Sequence, residues 1–175
     1  MHNTYTETQD LIETARTPVT VTVTLIDDCD PPVYTMKSDD LPISTINSNG
    51  TSEPELTFNN HQGGTYHDGF KVTFNLVDQT SKGYGFFFES GGSKPEDDAI
   101  WVKKVDSSGA CPTSPSKWGG FNPQSVTRST LVVDNPNSHL QYFGFTLLLS
   151  LAGETSPSVR IDPIGNNENG STGKA

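Results

Sequence analysis

The chain is short of basic residues, of cysteine and of long apolar runs. Over 175 residues it carries 11 Lys and Arg against 21 Asp and Glu, a formal net charge of -10. Nucleic-acid binders use Lys and Arg to displace counterions from phosphate, so this balance argues against a nucleic-acid partner. It argues equally against docking on an anionic membrane. The most apolar stretch, 140–151, is broken by Gln141, Thr146 and Ser150. A membrane helix needs about 18 or more apolar residues in succession, so a soluble chain is expected. Met1-His2-Asn3-Thr4-Tyr5 has neither a basic n-region nor an apolar h-region, and the expected compartment is the cytoplasm. The two cysteines, Cys29 and Cys111, are too few for a four-ligand zinc site, and no histidine stands at ligand spacing from either. They fit two free thiols or one loop-to-loop disulfide.

Hydrophobic residues make up 31% of the chain, which with glycine still falls below the apolar usage of about 45–50% in average domains. One core is within reach if the apolar side chains occupy inward faces. The 16 glycines and 12 prolines argue for many short elements joined by turns. The hydrophobic period is two. Val19, Val21, Val23 and Leu25 alternate with Thr20, Thr22 and Thr24, one buried and one wet face of a strand. Phe70, Val72, Phe74 and Leu76 repeat the pattern, as do Leu56 and Phe58. Weaker strands read at 41–46, 100–105, 128–134 and 158–162. Segments 84–88 and 140–151 are apolar on both parities, which fits either central strands covered on both sides or strands whose outer face contacts something. Ser48-Asn49-Gly50, Gln62-Gly63-Gly64 and Ala152-Gly153-Glu154 are among the turn signals between runs. These features predict an all-β, immunoglobulin-like antiparallel β-sandwich of about eight or nine strands. Its expected span is 18–164, with an N-terminal arm over 1–17 and a disordered tail over 165–175. Trp101, Leu131 and Val133 join the predicted inward set.

The constellations that carry chemistry are sparse. Asp27, Asp28 and Asp30 cluster after the first strand and are the candidate ligands for a calcium ion, which collects six to eight oxygens, though no EF-hand spacing is present. A hydrolase with carboxylates from the Asp27–Asp30 loop or from Asp97-Asp98 is a remote alternative, because glycoside hydrolysis needs two carboxylates at a set separation in a cleft. No G-x-S-x-G elbow accompanies His2, His61, His67 or His139. Gly83-Tyr84-Gly85 begins like a dinucleotide loop, but position 88 is Phe and a strand follows, so no cofactor is expected. The chain therefore reads as a non-enzyme.

The aromatics give a mild signal. Trp118-Gly119-Gly120-Phe121-Asn122-Pro123 is a loop sequence, and a loop tryptophan is either tucked under the domain or presented to a ligand. Trp118, Phe121 and Asn122 are the candidate residues for a carbohydrate-binding site. The leading reading is a non-catalytic binding or assembly module. A homo-oligomer or protein partner is expected because Phe86 to Phe88 and Leu147 to Leu149 supply more apolar surface than one face buries.

The C-terminal half also has a familiar order. Leu131-Val132-Val133-Asp134-Asn135 precedes the strand Tyr142 to Leu147, and a last strand ends in Ile161-Asp162-Pro163-Ile164. Over residues 128–164 this resembles the DP-EP family of small bacterial β-sandwich proteins, with Asp162-Pro163 and Glu53-Pro54 as the matching dipeptides. It is distantly similar to the AidA/PixA inclusion-body proteins. The resemblance implies a sandwich fold and carries over no catalytic residue. Read physically, Pro163 has no N–H and closes the ladder of an edge strand.

Overall fold

The alternation over 17–27 forms β1 (Thr17–Asp27), with Val19, Val21, Val23 and Leu25 buried and the threonines turned away. In this computed structural model the described residues are 16–48, 51–58, 69–80, 85–88, 94, 98–106, 110–118, 120–137, 141–151, 154 and 156–167. After β1 come β2 (Val33–Lys37), β3 (Ile43–Ser48), β4 (Thr51–Phe58), β5 (Phe70–Asp78) and β6 (Phe86–Phe87). The chain continues through β7 (Ile100–Lys104), β8 (Asn122–Val126), β9 (Thr130–Asn135), β10 (Gln141–Leu151), β11 (Val159–Ile161) and β12 (Ile164–Asn167). The architecture is an all-β sandwich of two sheets. One has the order β2-β1-β5-β9-β8, and the other runs β11-β10-β12-β4-β3 with β6 and β7 also on β10.

Among the described residues the strand count of twelve exceeds the eight or nine expected, because β2, β8 and β12 are too short and too polar to show an apolar period. The sheets are also mixed rather than antiparallel. β1 runs parallel to β5, with Thr17 beside Phe70 and Leu25 beside Asp78, and β12 runs parallel to β4. Side-chain alternation is the same in both senses of pairing, so it could not reveal this.

β10 explains the run that is apolar on both parities. β12 and then β11 pair along one edge, while β7 and β6 pair along the other. Phe143, Phe145, Leu147 and Leu149 point into the core, and Thr146, Leu148 and Ser150 are buried on the opposite face. Phe86, Phe88 and Leu147 to Leu149 are therefore covered within one chain, which removes the surplus apolar surface on which the oligomer expectation rested.

Six phenylalanines fill one end of the core. Phe121 lies 4.8 Å from Phe143, 5.2 Å from Phe145 and 6.1 Å from Phe58, measured between ring centroids. Trp101 corrects the predicted inward set. Ile100 and Val102 take the inward positions of β7, so Trp101 faces outward beneath the Arg160 guanidinium, 5.0 Å from its ring centroid.

The chain also stays ordered in the sheet beyond position 164. Gly165, Asn166 and Asn167 belong to β12 and are buried, where a tail was expected from 165. Asn167 exchanges hydrogen bonds with Asn135 of the facing sheet, at 2.8 Å and 3.3 Å. Polarity misled here: a buried amide is stable when partnered, and losing one partner costs about 1–3 kcal/mol. At the other boundary Arg16 closes onto Asp134 of β9 at 2.7 Å, so residues 16 and 17 are part of the domain. No disulfide joins Cys29, which is exposed, to Cys111.

Candidate functional site

Two prolines on neighbouring strands set up the site. β12 and β4 pair in parallel from Ile164 beside Glu55 to Asn167 beside Phe58. Continuing that register back by two residues places Pro163 beside Pro54 and Asp162 beside Glu53. Neither proline has an N–H, so the ladder starts only beyond them. On the other side β10 keeps step across the break. Gly144 faces Ile164 and Leu147 faces Ile161, so Thr146 faces Asp162 and Phe145 faces Pro163. The Phe145 N–H donates to Pro163 O at 3.1 Å. Pro163 thus interrupts a ladder rather than closing it, and β12 beyond it is an interior strand, contrary to the sequence reading.

A polar cluster occupies the gap. The Tyr34 hydroxyl, reaching across from β2, donates to Glu53 Oε2 at 3.0 Å. Thr146 Oγ1 lies 2.6 Å from Asp162 Oδ1 and 2.7 Å from Pro112 O. The Cys111 thiol donates to Pro163 O at 3.2 Å. Segment 110–113 can lie this close because Gly144 of β10 has no side chain; a Cβ there would stand 2.9 Å from Cys111 Cα. Arg160 reaches the same segment, with Nη1 3.5 Å from Thr113 O.

The electrostatics follow from burial beside like charges. Burial raises the Asp162 carboxyl above the usual carboxylate range, with the Thr146 hydrogen bond and Arg160 acting against it. Burial also raises Glu53, opposed by the Tyr34 hydrogen bond and reinforced by the Asp162 charge. Cys111 is pushed up by burial, then by Asp162 and Glu53, so it is held as a thiol. A nucleophilic cysteine needs the thiolate, which this environment disfavours. Tyr34 is pushed up by burial and by Glu53.

The residues singled out from the sequence lie elsewhere. Trp118 is half-buried, its ring 5.1 Å from that of Phe143 and packed over Gly120. Phe121 is 1% exposed, at the centre of the aromatic core. Asn122 opens β8 and lines a cavity of about 120 Å³ together with Ile100, Val102, Ser116, Lys117 and Phe121. Ser116 Oγ is buried there without a hydrogen-bond partner among the described residues. Asp27 accepts from the backbone of Cys29 at 3.1 Å, and Asp28 and Asp30 follow on the same turn. Among the described residues no three His, Cys, Asp or Glu side chains are grouped to hold a metal ion. The Asp98 N–H donates to Lys94 O at 3.1 Å, while Asp97 and all four histidines lie outside the described residues. Among the described residues no helix is long and apolar enough to cross a membrane. The sequence signal for the polar cluster was present in Glu53-Pro54 and Asp162-Pro163, two carboxylates each followed by proline.

No family model matches the chain, and no curated protein does. Among solved structures it is similar to the inclusion body protein PixA from Burkholderia cenocepacia J2315. The identity is 11% and the TM-score 0.38, over 86% of this chain and 95% of that one. Neither comparison shows membership of the DP-EP family.

Proposed function

We propose that the chain is a non-catalytic assembly module that joins copies edge to edge through β3. The observation that carries this reading is the contrast between β3 and the other edges. β8 is broken by Pro123 and a register shift, which blunts an edge. β2 ends in Lys37, and beyond it Ser38 and Asp40 bond the Thr20 backbone. β7 carries Lys103 and Lys104, and its Val102 N–H donates to Ser116 O. β11 has three residues with Arg160 exposed. β3, Ile43-Ser44-Thr45-Ile46-Asn47-Ser48, has neither charge nor proline, and among the described residues no strand pairs its outer side.

The register shows which groups face outward. Thr57 N–H donates to Pro42 O, so the hydrogen-bonded pairs of this antiparallel ladder are 42 with 57, 44 with 55 and 46 with 53. Thr45 N–H therefore points away from β4. Thr45→Pro removes that donor and leaves the β3–β4 ladder intact, as edge prolines do. By light scattering the wild type is expected to form dimers or larger species, more so in salt, which screens the net charge of -10. Thr45→Pro is expected to give the mass of one chain with a similar melting temperature. A wild type that stays monomeric at high concentration and high salt, or a variant that assembles equally well, overturns the reading.

A second reading is a site for a small polar ligand, such as a sugar, at the cavity beside Asn122. Its support is the unpartnered Ser116 Oγ in that cavity, with the Trp118 and Phe121 rings close by. On a glycan panel, binding that Asn122→Ala weakens at least tenfold is the expected result. No binding, or binding indifferent to Asn122→Ala and Trp118→Ala, removes it.

A further inference from the structure

Thr146 sits between two acceptors. Its side chain is fully buried, and its hydroxyl touches Pro112 O at 2.7 Å and Asp162 Oδ1 at 2.6 Å. A hydroxyl has one proton to give, and a carbonyl oxygen and an ionised carboxylate can only accept. With Asp162 ionised, one of these two short contacts is oxygen against oxygen with no proton between. With Asp162 protonated, Oδ1–H donates to Thr146 Oγ1, and Thr146 donates to Pro112 O. Both contacts are then satisfied.

We propose that Asp162 is protonated in the closed fold and that its proton locks segment 110–113 onto β10. Loss of that proton turns the Thr146 hydroxyl toward the carboxylate and leaves Pro112 O without its donor. The surroundings favour the locked form. Glu53, beside Asp162 on β4, accepts from the Tyr34 hydroxyl of β2, and burial raises its carboxyl as well. Glu55 lies two residues along β4 and accepts from Asn166 of β12 at 3.4 Å. Cys111, on the covering segment, is held as a neutral thiol. Arg160 is the cation that faces Asp162, and its guanidinium is already spread over Trp101 and toward Thr113 O.

A carboxyl whose folded pKa is raised stabilises the fold fully below its unfolded value, near 3.9 for Asp, and loses that contribution as pH rises through the folded value. The full chain is therefore expected to melt at a higher temperature in mild acid than at neutral pH. Asp162→Asn keeps a donor for Thr146 whatever the pH, so its melting temperature is expected to fall less between pH 4 and pH 9. Asp39→Asn, an exposed change of equal charge, is expected to keep the wild-type slope. In the wild type, the Asp162 Cγ resonance is expected to titrate above the ordinary carboxyl range, a readout that needs no variant to fold. An Asp162 that titrates at or below the ordinary value overturns the proposal. So does an Asp162→Asn profile parallel to that of the wild type.

Discussion

Phe121→Ala is expected to lower the stability of the domain by about 3–5 kcal/mol, the usual range for removing a buried phenylalanine ring. In a domain of this size each kcal/mol moves the melting temperature by about 2–4 °C, so the expected drop is roughly 6–20 °C. The reason lies in the position of the ring. Phe121 is 1% exposed and lies within 6.5 Å, centroid to centroid, of Phe58, Phe74, Phe143 and Phe145. Those neighbours come from β4, β5 and β10, strands of both sheets, so the ring joins the two layers. The hole cannot close by a shift of one element without opening another contact. Trp118→Ala is the comparison, because Trp118 is half-buried and rests against the same cluster from outside. Its expected loss is smaller. Calorimetry of the two variants decides the matter, and an equal or larger loss for Trp118→Ala would show that the cap, not Phe121, organises this end.

That ranking shows where the sequence was legible. Val19, Val21, Val23, Leu25, Phe70, Val72, Phe74 and Leu76 announce their burial by strict alternation, and all of them are in the core. Trp118 and Phe121 sit in a Gly-rich loop with no period to follow, so tucked and presented rings look alike from sequence. In the fold the loop turns back: Phe121 N–H donates to Trp118 O at 3.2 Å, and both rings face the core. Trp101 shows the opposite error. Its size argued for the interior, yet β-strand parity put Ile100 and Val102 inward and left the indole outside. Parity outranked bulk.

The polar cluster was legible only in fragments. Asp162-Pro163 and Glu53-Pro54 stand out in the sequence, but nothing in a string of residues shows that two strands more than a hundred positions apart lie side by side and in parallel. The register supplies that, and with it the apposition of two carboxyls and two prolines. Thr146 was hidden for a different reason. It reads as a polar interruption of an apolar run, whereas its hydroxyl is the link between Asp162 and Pro112. A threonine inside a run buried on both faces is a signal that some partner must be waiting, since a buried hydroxyl without one is costly. The same logic covers Asn167, which fell in the expected tail and whose pairing with Asn135 puts both between the sheets.

Gly165→Ala is expected to be the second most damaging point change, although the residue lies where the sequence suggested no structure at all. In an ordinary strand interior, alanine in place of glycine helps, because glycine loses more backbone freedom on folding and packs nothing. Here the Phe143 ring lies directly over Gly165, and an added Cβ would fall inside it. The ring has no room to move, being packed against Phe58, Phe121, Phe145 and Trp118. Overpacking of a closed core costs about 1–3 kcal/mol and sometimes more, and the backbone of β12 has to give way in this case. Because β12 carries Asn167, the shift is expected to strain the Asn135 pair as well, placing the loss at or above about 3 kcal/mol. Phe143→Leu frees the space over residue 165 at its own cost. The double variant Phe143→Leu with Gly165→Ala is therefore expected to be more stable than the sum of the two single losses predicts, by about 1 kcal/mol or more, as for residues in direct contact. Strict additivity in urea melts would mean that the ring and the glycine do not constrain each other, and the account of this end of the core would have to be redrawn.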